Sequence, residues 1–367
     1  MIRHDRRLAL ACVGAAIVAG AGLAGVGAKA SQAPAVQAAP AQQNFDDVEI
    51  DVVPVRGGVY MLVGAGGNTT IQIGDDGVMV VDTQFAPLSA KILSAIRALT
   101  SKPIRYVVNT HVHGDHTGGN EAIARAGSTR AGGNVVGDIG SAATDNARIL
   151  AHENVLNRMV KATGAAAVAQ GMWPTETFFT LKKEMLFNGE GVQVLHQPAA
   201  HTDGDVVVFF RRTDVIATGD LFTTVMYPYI DEASGGTING YISALNAILD
   251  ITIPSNVNEG GTMVVPGHGR LSDEQDVIEY RDMTTIVRDR IREYVKRGMT
   301  LEQVKARKPT LDFDPRYGSD TGFWTTGMFI DVIYRQMSQE QAALAPKAPA
   351  RGGRGQNRNQ QGQGSGR

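Results

Sequence analysis

The sequence predicts a layered α/β fold. Short apolar runs of strand length recur along the chain, and two of them, 78–81 and 104–108, flank a segment with helical spacing. The chemically useful polar residues stand at the ends of such runs, among glycines, where a sheet scaffold carries its chemistry.

Taken in order, 59–63 and 69–73 read as paired strands joined by Gly64-Ala65-Gly66-Gly67-Asn68, and Gly74-Asp75-Asp76-Gly77 turns the chain into 78–81. Asp82 closes that strand in the position of an end cap. Leu88, Ile92, Leu93, Ile96 and Leu99 give 87–99 the spacing of a helix, with Pro87 near its start where a helix tolerates it. Strand 104–108 follows. The first part of 141–180 reads as helical, and its Met172, Trp173 and Phe178 suit either helix-on-sheet packing or the mouth of a site. Further strands are expected at 206–210, 215–217 and 262–265, and helices at 239–249, 273–296, 301–307 and 329–344. The last three exceed a minimal catalytic fold and are expected either to cover one of its sides or to form a dimer contact.

The chain ends have a different character. Arg3, Arg6 and Arg7 precede a weakly hydrophobic Ala/Gly-rich stretch, 8–27, and Ala28-Lys29-Ala30 has the form of a signal-peptidase site. Residues 1–30 are therefore expected to be a signal peptide, removed before Ser31, rather than a retained membrane anchor. Export to the periplasm by the general route is preferred over the twin-arginine route, because paired arginines are common in ordinary signals. Cys12 is the only cysteine and lies in this segment, so the mature chain has no thiolate for metal binding or attack. An Ala/Pro/Gln linker at 31–44 leads to a catalytic region at 45–272 and a helical extension at 273–344. The Gly/Gln/Asn/Arg tail, 345–367, buries too little apolar surface to fold. With a net charge of −2 and no aromatics among its arginines, the chain gives no sign of binding nucleic acid. The expected partner is a small-molecule substrate.

The most informative stretch is His111-Val112-His113-Gly114-Asp115-His116, directly after strand 104–108. Imidazole and carboxylate are the groups that Zn²⁺ takes in hydrolytic sites. Three more such residues follow at strand ends: His201 in Ala199-Ala200-His201-Thr202-Asp203-Gly204-Asp205, Asp220 in Ala217-Thr218-Gly219-Asp220, and His268 in Val264-Val265-Pro266-Gly267-His268-Gly269. Any one of them alone suits a structural role. As a series they do not.

In this series the chain, over 51–272, resembles the metallo-β-lactamase superfamily. The resemblance implies an αββα sandwich with two zinc ions per chain at one edge. His111, His113 and His201 would hold the first metal; Asp115, His116 and His268 would hold the second. Asp220 stands where the glyoxalase II-like branch bridges the two. His201-Thr202-Asp203 and Pro266-Gly267-His268-Gly269 also resemble subclass B1 β-lactamases. That subclass has Cys at the Asp220 position and, three residues later, a Lys that grips the substrate carboxylate, where this chain has Thr223. The implied activity is hydrolysis of an acyl bond by zinc-activated water, with Asp115 and Asp220 the carboxylates that act on that water. A β-lactam is the best named substrate; a lactonase, a thioesterase or a non-catalytic metal-binding module are the alternatives. Thr223, Tyr227 and Tyr229, near Asp220 in sequence, and Trp173 are the residues expected to line the substrate pocket.

Overall fold

A computed structural model of the chain describes residues 44–129, 146–257 and 259–344. The expected signal peptide, the linker up to residue 43 and the tail 345–367 lie outside these residues.

Two sheets form the centre. The first contains β1 (Asp51–Arg56), β2 (Val59–Val63), β3 (Thr69–Gly74), β4 (Gly77–Val81), β5 (Ile104–Val108), β6 (Arg148–His152) and β7 (Glu176–Phe178), in sequence order. β1 to β4 meander antiparallel; β4 to β7 run parallel. Parallel neighbours need crossovers. They are supplied by α1 (Ser89–Leu99), by α2 (Gly114–Thr117) with α3 (Asn120–Arg125), and by α4 (Glu153–Lys161). The second sheet has the order β12-β11-β10-β9-β8, built from β8 (Lys182–Phe187), β9 (Glu190–His196), β10 (Val206–Phe210), β11 (Val215–Ala217) and β12 (Met263–Val265). α5 (Ile238–Leu249) links its one parallel pair, β11 and β12.

Side-chain alternation in β4 explains the layering. Met79 and Val81 point between the sheets, where they meet Val194, Val206, Val208 and Phe210 of the second. Val78 and Val80 point the other way, against Leu88, Ile92 and Ile96 around α1 and Ile123 of α3. A strand covered on both faces reads as a continuous apolar run, as 78–81 does. The second sheet's outer face, Val207, Ile216 and Val264, packs on α5 and on two later helices, α6 (Glu274–Lys296) and α9 (Thr326–Leu344). Between these lie α7 (Leu301–Ala306) and α8 (Asp314–Tyr317). The architecture is αββα, and the C-terminal helices cover one of its sides: Tyr280 and Met283 of α6 and Phe329 and Ile333 of α9 belong to the same core cluster as α5.

One expectation is corrected. Among the described residues, the first regular element of 141–180 is strand β6, not a helix; the helix α4 comes after it. Ile149 packs towards the helical layer and Leu150 towards the second sheet. A short apolar run buried on both sides has no period that distinguishes strand from helix.

Candidate metal centre

The seven expected ligands converge at one edge of the sandwich, each delivered by the end of a strand. β5 runs into His111 and His113, and α2 turns Asp115 and His116 back over them. β9 and β10 are joined by the loop that carries His201, β11 ends before Asp220, and β12 before His268. Two close approaches need glycine. A Cβ on Gly67 would lie 2.2 Å from the His116 ring, and one on Gly267 would lie 2.1 Å from Asp220 Oδ1. The loop between β2 and β3 is tied across this edge by Asn68, whose N–H donates to Gly267 O (2.7 Å) and whose side chain donates to Pro266 O (2.9 Å).

Hydrogen bonds on the far sides of the imidazoles fix which ring nitrogens face inward. His201 Nδ1 lies 2.7 Å from the Tyr229 carbonyl, which only accepts, so that nitrogen carries the proton and Nε2 is a lone pair. His113 Nε2 donates to Asp231 Oδ2 (3.0 Å), which leaves Nδ1 as its lone pair. Thr110 Oγ1 donates to Asp82 Oδ2 (2.6 Å) and so accepts from His111 Nδ1 (2.9 Å). His111 Nε2 is then a buried atom without a hydrogen-bond partner. His201 Nε2 and His113 Nδ1 lie 2.9 Å apart. Two lone pairs facing each other at that distance repel unless a proton or a metal ion is shared between them, and with the orphaned His111 Nε2 beside them this trio fits a metal. Burial and neighbouring imidazoles hold His111 well below its ordinary pKa; burial and His113 bring His201 down to about 4. Both are in the neutral form that metal binding requires.

The second set differs in charge. His116 Nδ1 donates to Asp82 Oδ2 (2.7 Å), and its Nε2 faces His268 Nε2 at 3.3 Å. His268 Nε2 is 3.3 Å from Asp115 Oδ2. Burial opposes protonation of both rings, but Asp220 and Asp115 outweigh it, lifting His116 well up and His268 to about 10. In the reverse sense, burial raises the two carboxyls and the imidazoles override it, holding Asp115 and Asp220 low. Without metal, protons thus supply positive charge that a dication can replace. Asp220 sits between the sets: Oδ1 is 3.1 Å from His116 Nε2 and 3.3 Å from His268 Nε2, while Oδ2 is 3.9 Å from His111 Nε2 and 3.8 Å from His201 Nε2. Asp220 Oδ1 and Asp115 Oδ1 are further buried atoms without hydrogen-bond partners. Asp82 also comes within ligand range of His111 and His116. Its hydrogen bonds to His116 and to Thr110, through both backbone N–H (2.8 Å) and hydroxyl, make it an orienting carboxylate instead.

The four expected pocket residues divide. Tyr229 lies at the site, its ring stacked on His113 (5.7 Å, 29°) and tilted against His201 (5.4 Å). Tyr227 does not line it: the ring is buried in the C-terminal core, stacked on Phe329 (4.7 Å), and its hydroxyl donates to Asp314 Oδ1 (2.8 Å), with Thr310 O 3.1 Å away. A residue two positions away on an extended segment faces the same way only if the segment stays regular, and here it turns. Trp173 packs on the cluster of Val112, Ala151, Val155 and Met159, with its indole N–H on Val168 O (3.1 Å). Thr223 is buried, and its hydroxyl is spent on the His268 carbonyl (3.2 Å) and the Val225 N–H (3.3 Å). Asp231 had no signal in its spacing. It belongs to the centre because the loop after Tyr229 folds back to His113.

The sequence profile described as the Metallo-beta-lactamase superfamily matches residues 62–268, the span that contains every one of these ligands. The chain belongs to that superfamily. It is 27% identical over 183 residues to the 2,4-dinitroanisole O-demethylase subunit alpha of Nocardioides sp. (strain JS1661), which covers 47% of this chain and 48% of that subunit. It is 21% identical over 209 residues to the Metallo-beta-lactamase type 2 of Bacillus sp. (strain 170), covering 56% of this chain and 68% of that protein. Among solved structures, the stereoselective inverting sec-alkylsulfatase Pisa1 from Pseudomonas sp. shares the fold with a TM-score of 0.55 at 16% identity, over 82% of this chain and 52% of the sulfatase. The chain thus spans about half the length of the demethylase subunit and of the sulfatase it matches. Superfamily membership accounts for the fold and the ligand series, and the His/Asp clusters are groups that could hold metal ions.

Proposed function

We propose that the chain is an exported dinuclear zinc hydrolase of acyl bonds, in lactones, esters or lactams. The observation that carries this is Asp220, whose two oxygens lie between two ligand sets, one of three imidazoles and one of imidazoles with a carboxylate. A bound zinc pair supplies Lewis-acid activation of water and of the acyl oxygen. Asp115 and Asp220 each offer an oxygen that can accept a proton from the attacking water and hold its direction. Tyr229 shields the imidazole side from solvent. No side-chain nucleophile is needed, and no cysteine is present after residue 12.

β-Lactam hydrolysis remains within this chemistry, supported by the name of the Bacillus relative. It lacks a grip for the substrate carboxylate, because Thr223 is buried and its hydroxyl is already bonded. Among the described residues, three arginines on or paired with the ligand loops are engaged: Arg158 with Asp203, Arg270 with Asp276 and Arg335 with Glu232. The same pairing disfavours a sulfate ester, the substrate named for the Pseudomonas relative. Neutral lactones or esters are therefore expected to turn over faster than carboxylate-bearing lactams, whose deficit appears in KM. Zinc-loaded protein tested on a cephalosporin, a carbapenem, an acyl-homoserine lactone and a thioester decides the matter. Hydrolysis of none of them would leave a metal-binding module. The export part is tested by N-terminal sequencing of protein from the cell envelope, which should begin at Ser31.

A further inference from the structure

We propose that Phe323 and Trp324, from the C-terminal extension, join Tyr229 in an aromatic wall that selects substrates with a neutral aryl group beside the acyl bond. The proposal rests on the hydrolase reading above and adds a substrate class to it.

The wall is a continuous run of rings from solvent to the ligands. Tyr229 stacks on His113. Trp324 meets the Tyr229 ring edge-on at 4.8 Å, and Phe323 meets it at 5.7 Å with an interplanar angle of 86°. Phe323 is 56% exposed while its ring still meets Tyr229. The loop that presents it is tied down. Thr326 N–H donates to Ser319 O (2.8 Å), Ser319 N–H donates to Thr326 Oγ1 (3.0 Å), and the Trp324 indole donates to Pro228 O (3.1 Å). Gly322, at φ +95°, makes the turn that sets Phe323 outside its neighbour. A loop built only to close the helical extension has no need of an exposed ring. Placed against Tyr229, that ring offers a flat apolar contact, and edge-to-face or offset stacking with an aryl group adds to the area it buries. Arg158, Arg270 and Arg335, on or paired with the ligand loops, are each held by a carboxylate.

The test compares benzyl acetate with ethyl acetate, two esters whose reacting atoms match. Phe323→Ala should lower the benzyl-to-ethyl ratio of kcat/KM about tenfold, with the change in KM. Leu186→Ala, at the β8–β9 hairpin on the opposite end of the sheet, removes an even more exposed apolar side chain and should leave the ratio unchanged. A binding readout is independent of turnover. In a Trp173→Phe background, Trp324 is the sole tryptophan. Benzyl alcohol, which has no acyl bond, should shift its emission saturably, and Phe323→Ala should weaken that binding by a similar factor. An unchanged ester ratio, or no saturable binding of benzyl alcohol, overturns the wall. Failure of both esters alongside normal benzyl alcohol binding would instead count against the hydrolase reading and leave the wall standing.

Discussion

Asp82 offers a direct probe of how the second ligand set is held. The carboxylate is buried and accepts three hydrogen bonds, from Thr110 N–H (2.8 Å), Thr110 Oγ1 (2.6 Å) and His116 Nδ1 (2.7 Å). Asp82→Asn keeps the volume and tolerates the backbone, which is left-handed at φ +62°. It replaces one accepting oxygen with an NH₂ group. His116 must then leave its Nδ1–H without a carboxylate or move the proton to Nε2, the nitrogen aimed at the metal. Loss of such an orienting partner weakens metal binding about 10- to 100-fold, or about 1.4–2.7 kcal/mol. Thr110 also loses a charge-assisted bond, which reaches the first set only through His111 Nδ1. Titration against a chromophoric chelator should therefore show one of two sites losing affinity by that factor, with the other nearly unchanged. Equal loss at both sites, or no loss at either with the fold intact, would refute the orienting role.

Other perturbations separate the remaining assignments. His201→Ala should weaken the first metal and His268→Ala the second, while Asp220→Ala should weaken both because its oxygens face both sets; chelator titration of the three variants reads this directly. Tyr227→Phe should lower stability by about 1–2 kcal/mol through loss of its hydroxyl bonds, measured by denaturant unfolding, with KM unaltered for every substrate. His152 is buried and stacked on His196 at 3.6 Å, and burial followed by that neighbour lowers its pKa to about 4. A folded pKa below the unfolded value favours the neutral form, so this contribution to stability is complete above about pH 6.5 and is lost as pH falls towards 4. The thermal midpoint of His196→Asn, which removes the stacked imidazole, should fall less than that of the parent over this window.

Much of this centre was legible because its ligands are local. His111 to His116 occupy six consecutive positions after a strand, and His201, Asp220 and His268 each end or precede an apolar run. Period and strand ends are local properties, and a sequence displays them. Asp231 was not legible, because it reaches His113 across 118 positions with no spacing that announces it. The same holds for Phe323 and Trp324, whose meeting with Tyr229 depends on how the C-terminal helices pack. Tyr227 was misplaced for the converse reason: nearness in sequence to Asp220 does not say which way a ring points once the segment turns. The β8–β9 hairpin did carry a signal, Asn188-Gly189, with both residues at positive φ as a tight two-residue turn requires.

The central claim is a pair of metal ions held by seven side chains with Asp220 between them. Elemental analysis of the protein dialysed to saturation against zinc tests it most directly. About two zinc ions per chain are expected. Saturation at one tightly bound ion, with the fold intact, would contradict it.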